Sequence, residues 1–171
     1  MDKNDIENIM NSALKKLVEE DLYLLKRDVN ERTITHQFAI YLAEEMNKEE
    51  DWNVDVEYNR NGDDPKRIEA ICDECFSNIS IPTYDLDAKT VYPDIIIHER
   101  GSHENNLLII EIKKREYRNR TEFDEGDECK IKAFMDPHQD YKYQFGIQLN
   151  FIVGESSNHE TEKRWEYKFV E

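Results

Sequence analysis

A chain of 171 residues is long enough for one domain with a sizeable core and short for two. Charged residues make up 36% and hydrophobic residues 38%, clustered in periodic runs. No apolar stretch nears the ~20 residues of a membrane helix, so a disordered chain and a membrane-spanning one are both set aside. The formal charge of -16 works against functions that rest on general affinity for nucleic acid, although a local basic patch still docks a phosphate. The opening MDKNDIENIM carries acids and no apolar signal core, and the three cysteines are an odd number; both point to a reduced, cytoplasmic setting.

In chain order, Asn4 to Glu20 is predicted as an amphipathic helix with Ile6, Met10, Ala13, Leu14 and Leu17 on one face. A second helix is predicted from Asn30 to Met46. Asn30 is its N-cap, Glu31 lies in the first turn where the helix dipole favours an acid, and Ile34, Phe38 and Leu42 recur at helical spacing. Asn53 to Tyr58 alternates as a strand, Val54, Val56 and Tyr58 against Asp55 and Glu57. Asn59 to Asp87, broken by Asn-Gly, Asp-Pro and Ile-Pro, is expected to be a long excursion with a short helix near Arg67 to Cys75. Two runs apolar on both faces, Val91 to His98 and Leu107 to Lys113, are expected as central strands joined by ERGSHENN.

A helix is predicted over Glu128 to Met135, ended by Asp136-Pro137. Tyr141 to Val153 alternates again, with Tyr143, Phe145, Ile147, Leu149 and Phe151 on one side and Gln144, Gln148 and Asn150 on a polar one. Trp165, Tyr167 and Phe169 mark a last strand, with charges between them suited to a sheet edge. No repeat or linker divides the chain, so residues 1–171 are expected to form a single domain.

The informative charges interrupt the two central strands. Asp94 breaks VYPDIII, and Glu111 and Lys113 break LLIIEIKK; charges buried in apolar strands need partners or a metal. Glu111 and Lys113 share a face because side chains alternate. A hairpin centred between Ser102 and His103 pairs position i with 205 - i, which sets Asp94 opposite Glu111, Cβ atoms ~5 Å apart. Two carboxylates so placed call for a cation such as Mg²⁺, which prefers hard oxygen ligands. The alternative is a structural salt-bridge cluster.

Pro93-Asp94, sixteen intervening residues, then Glu111-Ile112-Lys113 resembles the PD-(D/E)xK motif of restriction-endonuclease-like nucleases. The segments NERTITH, EYNRNG, VYPDIIIHERG, NLLIIEIKK and YQFGIQLNF together are similar to small stand-alone bacterial members of that superfamily, a resemblance spanning roughly Asn30 to Val153. It implies an α/β fold with a mixed central sheet, helices on both faces and the site at one sheet edge. It also implies Mg²⁺- or Mn²⁺-dependent hydrolysis of phosphodiester bonds, in DNA rather than RNA. By that resemblance Asp94, Glu111 and the Ile112 carbonyl hold the metal, Lys113 attends the attacking water, and Glu31 binds a second metal or a metal-bound water.

The run KKREYRNR supplies Lys114, Arg115, Arg118 and Arg120 as candidates for gripping phosphates, and Arg60 borders the expected cleft. Each has an ordinary alternative, a solvated charged turn or a strand end. Cys72 and Cys75 form a lone C-x-x-C that needs two further ligands, Cys129 and a histidine among them, to hold zinc. The acidic balance leaves room for a homodimer or a protein partner that supplies DNA affinity. The rival functions are a non-catalytic binding module of the same fold and an acidic interaction protein.

Overall fold

The computed structural model describes residues 1–46, 51–58, 60–61, 64–65, 67–68, 89–90, 92–102, 104–154 and 163–171, with backbone alone for the two-residue pieces between 60 and 90. Its centre is a five-stranded mixed sheet in the order β1 (Asn53–Val56), β2 (Ile95–His98), β3 (Asn106–Arg115), β4 (Phe145–Ile152), β5 (Trp165–Val170). All neighbours are antiparallel except β3 and β4, whose parallel pairing requires a crossover. That crossover carries α3 (Glu125–Met135), while α1 (Lys3–Lys26) and α2 (Glu31–Glu45) precede the sheet.

Two apolar clusters show why both faces are covered. Ile6, Met10, Leu14 and Leu17 of α1, with Ile34, Phe38 and Leu42 of α2, bury against Ile95, Ile97, Leu108, Ile110, Ile112, Leu149 and Phe151. The opposite face packs Ile96 and Ile109 against Ile131 and Phe134 of α3, with Tyr141 and Tyr143. Fully burying each such side chain contributes ~1.5–3 kcal/mol, so β3, apolar on both sides from Leu107 to Ile110, is the sheet's anchor. Gly146 lets α3 come close: a Cβ there would stand 2.2 Å from Ile131 Cγ2 and 2.6 Å from Met135 Sδ.

The α/β class and the helices on both faces agree with expectation. Asn30 caps α2 by accepting from the Arg32 N–H at 2.8 Å. The differences are local and have physical causes. The first helix runs on to Lys26, with non-helical angles at Asp21. The first strand stops at Val56 because Glu57 takes φ 48, which turns Tyr58 out of the alternation and onto the α3 side, its ring 4.7 Å from that of His98. Lys142, at φ 47, does the same for Tyr143, which packs on the α3 side rather than with Phe145.

Arg67 and Ile68 pair with Lys89 and Thr90 as strand, not helix; residues 69–75, the rest of that expected helix, lie outside the described residues. The polar side bearing Gln148 and Asn150 is not solvent-facing at these residues: both are buried under α3 and the chain leading to it. Among the described residues no helix is long and apolar enough to cross a membrane.

Candidate active site

Ladder register brings the charged residues together. Ile95 pairs with Ile110 and Ile96 with Ile109, so the next step outward sets Asp94 opposite Glu111. Asp94 follows the alternation of Ile96, and Glu111 and Lys113 that of Ile109, so all three belong to the face covered by α3. β3 is the middle strand of five, so the cluster lies at the end of central strands; the expected location at a sheet edge is corrected.

Past the start of β2, the β3 amides that would point to a strand partner meet carboxylates instead. Asp94 Oδ2 accepts from the Ile112 N–H at 2.7 Å, and Glu31 Oε2 from the Lys114 N–H at 3.0 Å. The Asp94 carbonyl accepts from the Glu57 N–H at 3.1 Å, which fixes the loop that presents the carboxylate. Since the N–H and C=O of one strand residue point the same way, the Ile112 carbonyl opens on the same side as Asp94. Glu31 thus reaches the cluster from α2, as the first-turn acid the sequence singled out.

Two α3 residues that sequence reasoning missed complete the cluster. Lys130 Nζ lies 2.7 Å from Glu111 Oε1 and donates to Oε2 at 2.8 Å, and it also donates to the Tyr92 carbonyl at 2.8 Å. Lys113 Nζ lies 3.3 Å from Asp127 Oδ2. A signal for both was present. Asp127, Lys130 and Phe134 recur at helical spacing, so the face that buries Phe134 carries charges at its other end. Gln148, aligned with Glu111 across the parallel ladder, donates to the Asp124 carbonyl, while its Oε1 is buried without a hydrogen-bond partner among the described residues.

Burial, the largest influence on Glu111, pushes its carboxyl up to about 8; Lys130 opposes this and Asp94 adds to it. Burial likewise raises Asp94, against the Ile112 amide, Lys130 and Lys113, with Glu31 adding to the rise. For Lys113, burial disfavours the charge, but Asp127, Asp94 and Glu111 outweigh it and raise the ammonium's pKa. Asp127 is raised by burial despite Lys113.

A divalent cation fits the donors on this face. They are all oxygens, and Glu111 Oε1 is buried with no hydrogen bond of good geometry, although the Lys130 ammonium is near it. Among the described residues no group of three or more carboxylate, histidine or cysteine side chains stands close enough to hold a metal; this face offers two carboxylates, Asp94 and Glu111, with the Ile112 carbonyl beside them. Cys129 is disulfide-bonded, which removes it from a zinc site and departs from the reduced cysteines expected; Cys72 and Cys75 lie outside the described residues.

The basic run is largely engaged with the protein itself. Lys114 Nζ donates to Asp28 Oδ1 at 2.7 Å and the Val29 carbonyl at 2.8 Å, fastening β3 to the turn before α2. Arg115 donates to the Glu122 carbonyl at 3.1 Å. Arg118 pairs with Glu116 at 2.9 Å on the surface, and Arg120 stacks over Tyr117 with Glu166 4.0 Å away. The backbone of Arg60 pairs with Pro65, and its side chain lies outside the description. Comparison with protein-family models, with curated proteins and with solved structures returned no match.

Proposed function

We propose that this chain is a metal-dependent nuclease of the restriction-endonuclease-like type, hydrolysing phosphodiester bonds in DNA. One observation carries the reading: Asp94 and Glu111 oppose each other on one face, with Lys113 a pleat further along. Asp94, Glu111 and the Ile112 carbonyl would hold Mg²⁺ or Mn²⁺. When bound, such a cation offsets charge on the phosphate and makes a nearby water more acidic.

The chain's own residues do the rest. Lys113, raised in pKa and partly open to solvent, stays charged at neutral pH and donates to the attacking water or to a phosphate oxygen. Asp127 fixes the direction of that ammonium. Glu31, held by the Lys114 amide, keeps a further acceptor at the mouth of the site. Hydrolysis forms a bond from water oxygen to phosphorus and breaks one ester P–O bond; the attacking water gives up a proton to solvent through the polar groups of the site, and the departing oxygen takes one up from solvent to leave as a hydroxyl.

A second reading is favoured by the Lys130 pairing: Glu111 already has a cation and Lys113 already has an acid, as in a buried structural network. On that reading the protein is a non-catalytic binding module of the same fold. Incubating several DNA and RNA substrates with the protein, with and without Mg²⁺ or Mn²⁺, separates the two. Metal-dependent cleavage that disappears in Glu111→Gln supports the nuclease; no cleavage of any substrate under any metal condition counts against it.

A further inference from the structure

We propose that Lys130 is the site's built-in counter-ion: it holds Glu111 in the metal-free protein, and a divalent cation gains that carboxylate only as Lys130 withdraws. The proposal rests on reading Asp94 and Glu111 as metal ligands, and it assigns to α3 the control of when they become available.

Three contacts place the ammonium where an incoming cation would have to act. It touches both Glu111 oxygens, at 2.7 and 2.8 Å, and its remaining hydrogen bond goes to the Tyr92 carbonyl, two residues before Asp94. Lys130 therefore spans the two segments that carry the opposed carboxylates. Glu111's side chain is 2% exposed and that of Lys130 13%, so the carboxylate is withdrawn from solvent and the ammonium nearly so.

Electrostatics explains why such a residue is needed. Two opposed acids in an apolar sheet destabilise the fold unless a positive charge lies between them, and Lys130 supplies one without metal. Mg²⁺ demands near-octahedral oxygen ligation, so it cannot share Glu111 with an ammonium that donates to Oε2 and stands 2.7 Å from Oε1. Gly146 seats α3 tightly on β4, so exchange is a swing of the Lys130 stem rather than a movement of the helix. A lysine suits this role because its charge is compact and its four-carbon stem flexible. Lys113 stays with Asp127 throughout, so the site keeps one fixed ammonium and gains one freed ammonium when the cation enters.

The test is Mn²⁺ binding by isothermal titration calorimetry to wild type, Lys130→Met and Glu111→Gln, together with ¹⁵N-detected lysine ammonium spectra of the wild type during Mg²⁺ titration. If the Lys130-free state is about a tenth populated in the wild type, removing the competitor tightens Mn²⁺ binding by about tenfold. Glu111→Gln should lose binding. The wild-type spectrum needs no variant to fold: the protected Lys130 signal should be lost or move as Mg²⁺ binds, while that of Lys113 persists. Wild-type metal binding with an unchanged Lys130 signal, or with Lys130→Met binding no tighter, overturns this proposal and leaves the metal site standing. Absence of binding by wild type and Lys130→Met at millimolar Mn²⁺ overturns the reading of Asp94 and Glu111 as ligands, and this proposal with it.

Discussion

Asp94→Asn separates a metal site from a structural network because the two readings predict opposite signs for metal-free stability. Carboxylates opposed at ~5 Å with an effective dielectric of ~20 repel by about 3 kcal/mol when both are ionised. The substitution removes that repulsion. It also weakens the acceptor for the Ile112 N–H from charged to neutral and gives up attraction to Lys113 and Lys130, together about 1–2 kcal/mol. At pH 9, above the value of about 8 to which Glu111 is raised, the mutant should be more stable than wild type by about 1–2 kcal/mol, or roughly 2–8 °C in melting temperature. At pH 6, where Glu111 keeps its proton and no repulsion is relieved, the mutant should melt below wild type by the lost ~1–2 kcal/mol, or roughly 2–8 °C.

Mg²⁺ at ten times its Kd should stabilise the wild type by ~1.4 kcal/mol and hardly affect the mutant, which should cleave nothing. The assay is thermal unfolding of both proteins at both pH values, with and without Mg²⁺. If Asp94 is instead a structural partner of the two lysines, its loss costs roughly 3 kcal/mol. A mutant melting about 6 °C or more below wild type at pH 9 without metal, with no Mg²⁺ effect on either protein, would refute the reasoning.

Lys114→Ala should cost about 1 kcal/mol by releasing the turn before α2 and leave DNA affinity unchanged, whereas exposed Arg118→Ala should leave stability unchanged and, if Arg118 contacts phosphate, lower the salt slope of binding by ~0.9; melts and salt titrations read both. Gly146→Ala forces a methyl against Ile131 and Met135, and should destabilise by ~1–3 kcal/mol while loosening the Lys130 pairing, visible as faster exchange of its ammonium protons. Stability should respond to pH at two places. Arg100 and His98, outweighing burial, hold Asp55 well below its ordinary 3.8, so its contribution is present above that pH and is lost as pH falls beneath it. Glu111 acts oppositely: between its ordinary 4.5 and about 8 the folded state keeps a proton that the unfolded state lacks, so stability falls as pH rises through that window. Asp55→Asn should flatten the acid limb and Glu111→Gln the neutral one in unfolding curves.

The parts of the fold that were legible are those where periodicity and burial agree. Both faces of β3 are apolar from Leu107 to Ile110. Its register with β2 follows the hairpin arithmetic from Ile95 to Ile97, where a one-residue slip would exchange every side chain between faces, and departs from it only at His98, which pairs with Asn106. Asn30 and Glu31 were readable because capping is local chemistry. The ends of strands were not. Glu57 and Lys142 take positive φ without being glycine, so nothing in their residue type announces that Tyr58 and Tyr143 change face. α3 begins at Glu125, capped by Asp124, and was read as starting later because Gly126 weakens the helical pattern just where the acids belong. That error hid Asp127. Lys130 lay within the expected helix, but its pairing is a long-range fact: a lysine 19 positions from Glu111 becomes its partner only once the crossover folds α3 back over β3.

The same pairings bear on how a chain of net charge -16 meets a polyanion. Among the described residues Lys113, Lys114 and Lys130 are the ammonium groups at the site, and each already has an acid, at 3.3, 2.7 and 2.7 Å respectively. An approaching phosphodiester would therefore meet lysines already engaged by acids rather than an open positive cleft, and counterion release from Lys113 and Lys114 would contribute little. On the proposed reading a divalent cation would change this by adding two positive charges and setting Lys130 free. DNA binding, and not only cleavage, should then depend on the cation. Fluorescence anisotropy of a labelled duplex at ~0.15 M salt should show at least about tenfold tighter binding in Ca²⁺, a hard cation with oxygen ligands, than in chelator, and Glu111→Gln should abolish the difference. Equal affinity with and without Ca²⁺ would mean that the duplex is held by a surface away from Glu111, and would remove the link between metal uptake and substrate capture.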